Sequence, residues 1–187
     1  GVGFFDLDND GDQDLLLVNS SYWTGRAPAG AKPPTPALYQ NDGTGHFPDV
    51  TAGSGLDVPV YEMAPTFGDF DNDGLVDVCI TAVGENHLFK NLGGGKFKDI
   101  THEAGVAGSA AEWSTCAAWF DYDNDGKLDL FVGNYFRWSR EVDLKVGWKL
   151  VGIGRASAEL NSLGLHRRAR WHGVTRRPGL PFDRVCG

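Results

Sequence analysis

Short apolar runs alternate along most of the chain with clusters of Asp, Asn and Gly. Gly3–Phe5, Thr66-Phe67 and Cys116–Phe120 each lead into an acidic cluster, and Leu15–Val18, Val78–Val83 and Leu128–Val132 each follow one. Leu38–Gln40 and Leu88–Lys90 then run into Asn-x-Gly-x-Gly turns, after which come Phe47–Thr51 and Phe97–Thr101. All of these runs are too short for helices and are bounded by turn-forming residues, so they predict strands. Glycine suits the turns because tight hairpins place one or two residues at positive φ.

The pattern recurs in phase. D-x-D-N-D-G-x-x-D begins at Asp6, Asp69 and Asp121, offsets of 63 and 52 residues. LYQNDGTGHFPDVT at Leu38 returns as LFKNLGGGKFKDIT at Leu88, an offset of 50. Two motifs in a fixed order define an internal repeat. The longer first interval is accounted for by residues 20–36, a Pro-rich, small-residue stretch that reads as an inserted loop. Four short strands per unit of about 50–60 residues is the plan of a propeller blade. The expected fold is therefore all-β: a partial β-propeller of about three four-stranded blades in an incomplete ring. A β-solenoid is the second possibility, although its periods are usually shorter.

Composition refines this picture. The 187 residues include 26 glycines, in keeping with many turns, and the formal net charge is −8. Residues 1–155 carry 23 acids and 11 bases, whereas residues 156–187 carry 2 and 6, the six being all arginine. The expected division is a repeat body, 1–155, and an atypical basic tail, 156–187, outside the propeller. An acidic body repels phosphate, which argues against a nucleic-acid partner. No apolar run reaches the ~18 residues of a membrane span. The chain opens at Gly1 rather than Met and holds about three units, so it reads as a piece of a longer protein. Cys79, Cys116 and Cys186 lack the paired spacings of a disulfide or zinc framework.

The acidic clusters carry the chemistry. Asp6, Asp8, Asp10 and Asp14 occupy positions 1, 3, 5 and 9 of the first loop; Asp69, Asp71, Asp73 and Asp77 those of the second; Asp121, Asp123, Asp125 and Asp129 those of the third. Four carboxylates so close together repel one another unless a cation joins them. An all-oxygen donor set suits a hard ion, and the number of donors suits calcium better than magnesium. Gly11, Gly74 and Gly126 at position 6 let the chain turn back. The main-chain carbonyls of Asp12, Leu75 and Lys127 at position 7 are expected as further ligands, since side chains that different share only a backbone. An EF-hand is excluded: it needs Glu at position 12 and flanking helices. Here position 12 is Leu17, Ile80 and Val132, within predicted strands.

Other residues point to packing. No H-E-x-x-H, G-x-S-x-G or P-loop motif occurs. His46, His87 and His102 read as surface histidines, and Cys79 and Cys116 as small hydrophobes in strands. Trp113 and Trp119 read as core or interblade residues. Tyr22 and Trp23, in the inserted loop, are the candidates for partner contact.

The acidic loops together with the L-x-x-N-x-G-x-G-x-F element resemble FG-GAP, or VCBS-type, repeats of integrin α-subunit propellers. FDYDNDGKLDLFVGNY and LYQNDGTGHFPDVT look especially similar to bacterial relatives of cartilage acidic protein. The resemblance covers about residues 1–155. It implies a seven-bladed propeller whose calcium loops join the first two strands of a blade. It further implies an extracellular, cell-surface or periplasmic module for adhesion or for binding a protein or carbohydrate, without catalysis. The alternative is the noncatalytic propeller portion of a larger secreted enzyme, such as one that degrades polysaccharides.

Overall fold

The computed structural model describes residues 1–23 and 26–137, Ser139 and Glu141, and the backbone of two strands at 172–175 and 184–186. Three sheets follow one another. The first contains β1 (Val2–Phe5), β2 (Asp14–Leu17) and β3 (Ala37–Tyr39) in that order, all antiparallel. The second is complete, with β4 (Glu62–Gly68), β5 (Asp77–Ala82), β6 (His87–Asn91) and β7 (Phe97–Asp99). The third is built on β8 (Glu112–Phe120) and β9 (Asp129–Arg137). Each acidic loop joins the first two strands of its sheet. This is a partial β-propeller, nearly all-β among the described residues, with one short helical turn, α1 (Thr101–Ala104), after the second sheet.

One fourth strand is missing. The sequence predicts a strand at Phe47–Thr51, but the structure has only an isolated bridge, Tyr39 to Asp49. In the second sheet Lys90 is paired with Lys98. Pro48 stands at the equivalent place in the first. It accepts from the Gln40 N–H at 3.1 Å and has no N–H to return, so the ladder stops. The prediction also ran the later strand to Thr101; that residue begins α1 instead, and Gly105 caps the turn at φ 70°. Thr51 and Thr101 keep one role in both units, each hydroxyl accepting the N–H of Leu38 (2.8 Å) or Leu88 (2.9 Å).

The core lies between sheets. All six residues of β5 are buried. Its side chains alternate, as strand geometry requires. Val78 and Ile80 pack with Phe5, Leu7, Leu16 and Leu38 of the first unit, whereas Cys79 packs with Leu130 and Val132 of the third. The first strands of neighbouring sheets lie close together, β1 beside β4 and β4 beside β8. Phe5 stacks on Phe67 at 4.6 Å. Gly3 permits this approach, since a Cβ there would stand 2.2 Å from the Phe67 ring. Trp119 stacks on Phe70 at 5.9 Å, the interblade role expected of it.

Two expectations are corrected. Cys116 is exposed on β8 rather than packed; Cys79 is buried. Trp23 is half-buried rather than exposed, stacked on Tyr61 at 4.2 Å and edge-on to Trp113 at 6.4 Å. Tyr22 is exposed.

The stretch set apart as a tail lies mainly outside the described residues. Within it, β10 (His172–Thr175) pairs antiparallel with β11 (Arg184–Cys186), and β11 runs parallel to β9. The corresponding third strand of the second sheet, β6, is antiparallel to its neighbour β5.

Candidate metal centres

Each acidic loop is built by its own backbone. The position 1 carboxylate receives two N–H groups, from positions 5 and 6. Asp6 accepts Asp10 and Gly11 at 3.2 and 3.0 Å; Asp69 accepts Asp73 and Gly74 at 3.0 and 2.9 Å; Asp121 accepts Asp125 and Gly126 at 3.1 and 2.9 Å. Position 5 in turn accepts the N–H of position 7, at 2.9 Å from Asp12 to Asp10 and 3.0 Å from Leu75 to Asp73 and from Lys127 to Asp125. So tight a fold needs left-handed residues. Asn9, Asn72 and Asn124 at position 4 have φ of 61°, 58° and 59°, and the position 6 glycines have φ of 92°, 86° and 84°. Asn tolerates that region better than most side chains, and glycine enters it freely.

Position 9 is a buried staple. Asp14 accepts the Leu7 N–H at 2.6 Å and the Asn41 N–H at 2.7 Å, and Asp77 accepts Phe70 at 3.2 Å and Asn91 at 2.8 Å. Asp129 accepts Tyr122 at 2.7 Å. In the first two units the carboxyl thus ties position 2 of its loop to the third strand's turn. Burial pushes the Asp77 carboxyl up to about 7 against these hydrogen bonds, and the charges of Asp71 and Asp73 push the same way. Burial raises Asp14 likewise, with Asp8 and Asp10 adding to it.

Carboxylate oxygens converge in all three loops. Asp6, Asp8 and Asp10 bring one oxygen each within 4.8 Å of one another, as do Asp69, Asp71 and Asp77, and Asp121, Asp123 and Asp129. Of the other expected side-chain ligands, Asp14, Asp73 and Asp125 stand outside these groups of three. Buried Oδ1 atoms of Asp8 and Asp71 have no hydrogen-bond partner among the described residues. A buried carboxylate oxygen without a hydrogen-bond partner, beside further carboxylates, fits a cation, since a buried polar atom is costly when nothing joins it. The donors are all hard oxygens, which fits calcium.

Sequence reasoning missed the residues that hold position 3. Gln40 donates its side-chain amide to Asp8 Oδ2 at 2.7 Å. Lys90 occupies the same repeat position; its ammonium bonds Asp71 Oδ2 and lies 3.0 Å from Asp73 Oδ2. The signal was present in the alignment of LYQ with LFK. The predicted surface histidines lie beside carboxylates: His46 near Asp42, His87 near Asp99 and His102 near Glu85.

The comparisons with known proteins agree with this geometry. The family model described as FG-GAP-like repeat matches residues 6–80 and 69–132, each match opening on an acidic loop. Cartilage acidic protein 1 of Xenopus tropicalis is 32% identical over 103 residues, and that of Mus musculus 30% over 102. Each alignment covers 52% of this chain and 15% of the relative, so the chain spans a small part of the proteins it resembles.

Proposed function

The chain belongs to the FG-GAP-like repeat family, and from that premise we propose that it is a calcium-stabilised, non-catalytic binding module of the extracellular space, cell surface or periplasm. The observation that carries the reading is the convergence of three carboxylates in each of three similarly built loops, with buried oxygens of Asp8 and Asp71 left unpartnered among the described residues. Positions 1, 3, 5 and 9 supply carboxylates, and the carbonyls of Asp12, Leu75 and Lys127 supply main-chain oxygen. Calcium, when bound, neutralises these groups and locks the turn between the first two strands of each blade. The residues themselves set that turn beforehand, through the bonds to Asp6, Asp69 and Asp121.

Binding, rather than catalysis, is the role of such a module here, toward a protein or carbohydrate. Calcium is abundant outside cells, where modules bind it in the range of ~10⁻⁴–10⁻³ M. Residues 1–155 are read as this module and 156–187 as a segment apart from it. Thermal unfolding in calcium, in magnesium and in chelator tests the metal. Calcium at millimolar level is expected to stabilise by roughly 1 kcal/mol per weak site, with magnesium much less effective. An unchanged midpoint in all three conditions overturns the reading.

A further inference from the structure

Gln40 and Lys90 perform the same mechanical task with different charge. Each reaches the outer oxygen, Oδ2, of the position 3 aspartate in its own unit. Each leaves the other oxygen, Asp8 Oδ1 or Asp71 Oδ1, buried and without a hydrogen-bond partner among the described residues. The position 3 ligand is therefore oriented alike in the first two loops. Lys90 goes further, placing its ammonium 3.0 Å from the position 5 carboxylate, Asp73. All three side chains are two-thirds or more shielded from solvent. The pair is thus screened less than a fully exposed ion pair.

We propose that this single repeat position sets the relative calcium affinity of the loops: the Lys90 ammonium, a tethered cation, weakens the second loop, whereas the neutral Gln40 amide leaves the first at full strength. The inference rests on the reading of the loops as calcium sites. Two physical effects act in the same direction. A fixed positive charge repels a divalent ion held by the same carboxylates. A calcium ion recruiting Asp73 also has to break a charge-assisted bond to Lys90, a stronger contact than an amide makes. In return, the second loop is partly neutralised without metal. Its blade, with four antiparallel strands and a fully buried central strand, is then the least dependent on calcium.

Site-resolved titration of the full chain tests this. The amides of Gly11 and Gly74 each donate to the position 1 aspartate of their loop, so their resonances in nitrogen–proton NMR spectra report the two loops separately. With calcium alone as the probe, Gly74 is expected to respond at higher concentration than Gly11. Lys90→Gln is expected to lower the Gly74 midpoint by on the order of tenfold, the scale of one charge near a divalent ion in a water-like medium. Gln40→Lys, the reciprocal change, is expected to raise the Gly11 midpoint similarly and keeps the test valid if Lys90→Gln folds poorly. If Gly11 and Gly74 titrate with calcium but neither substitution moves its own midpoint, the affinity-setting role is overturned and the calcium reading stands. If no glycine responds at any calcium concentration, the calcium reading falls and takes this inference with it.

Discussion

The side-chain amide of Asn91, in the second unit, donates to the carbonyl of Leu7, in the first, at 3.0 Å across 84 positions of sequence. The same amide donates to Val76 at 3.1 Å, its Oδ1 accepts the Gly93 N–H at 2.9 Å, and its backbone N–H meets Asp77. One buried residue therefore joins the first acidic loop, the second acidic loop and the hairpin turn. Coupling between blades runs through the loops as well as through the apolar core.

Asn91→Ala should accordingly destabilise the protein by about 2–4 kcal/mol, since it strands the buried Leu7 carbonyl and the half-buried Val76 carbonyl as well as removing the bonds. The equivalent Asn41 donates one longer bond of 3.3 Å, to the Gln13 carbonyl, accepts the Gly43 N–H at 3.1 Å, makes no bond to the other unit among the described residues, and is only half-buried. Asn41→Ala should cost about 1 kcal/mol or less. Denaturant unfolding of both variants checks the ranking; equal losses would mean that the contact to Leu7 carries no weight.

A pH dependence follows from Glu62. This side chain is buried, with Oε2 accepting the Asn19 N–H at 3.0 Å and Oε1 without a hydrogen-bond partner among the described residues. Burial raises its carboxyl from 4.5 to about 8. The folded protein then holds a proton that the unfolded chain releases, so this contribution is complete below pH 4.5 and is lost as pH rises toward 8. Glu62→Gln, which cannot ionise, should be near neutral at acid pH and increasingly stabilising relative to the parent as pH approaches 9. Melting temperatures of the two proteins across that range measure the difference. A constant difference would show that Glu62 titrates normally.

The third loop separates side-chain from main-chain roles. Asp125→Ala removes both a proposed ligand and the acceptor of the Lys127 N–H, 3.0 Å away. Lys127→Ala leaves the backbone of position 7 in place. The first change should abolish the calcium response of Gly126 in NMR titration, and the second should leave its midpoint within about twofold. Similar losses from both would contradict the assignment of the position 7 carbonyl.

The acidic loops were legible because their chemistry is local: nine residues fix the turn, the glycine and the carboxylates. The strands on either side were legible from short apolar runs between turn residues. The failures arise where a distant partner decides. Pro48 ends a ladder that the matching Phe-x-x-Val/Ile-Thr pattern promised, because what matters is the N–H that Lys98 supplies and proline lacks. Trp23 looked available for recognition, yet its ring lies on Tyr61, a neighbour that local pattern does not reveal. Gln40 and Lys90 appeared as ordinary strand polars, since their meaning depends on the loop 19 to 32 residues earlier in the chain.

Position 2 of the acidic loop shows how the same local structure serves different surroundings. Leu7 and Phe70 are buried between blades, Leu7 against the second unit's Val78 and Ile80, Phe70 against Leu130 and Trp119. Tyr122, in the third loop, is 59% exposed. The backbone N–H of all three is held by the position 9 aspartate, so the loop aims each side chain alike and the neighbouring blade determines the burial. Phe70→Ala should therefore cost about 3–5 kcal/mol, the range for emptying a packed aromatic site. Tyr122→Ala should change stability by no more than about 0.5 kcal/mol, the range of ordinary surface substitutions. Chemical denaturation of both variants in the same calcium concentration gives the comparison. A large loss at Tyr122 would mean that this position is covered in solution, and a small one at Phe70 would break the account of the interblade core.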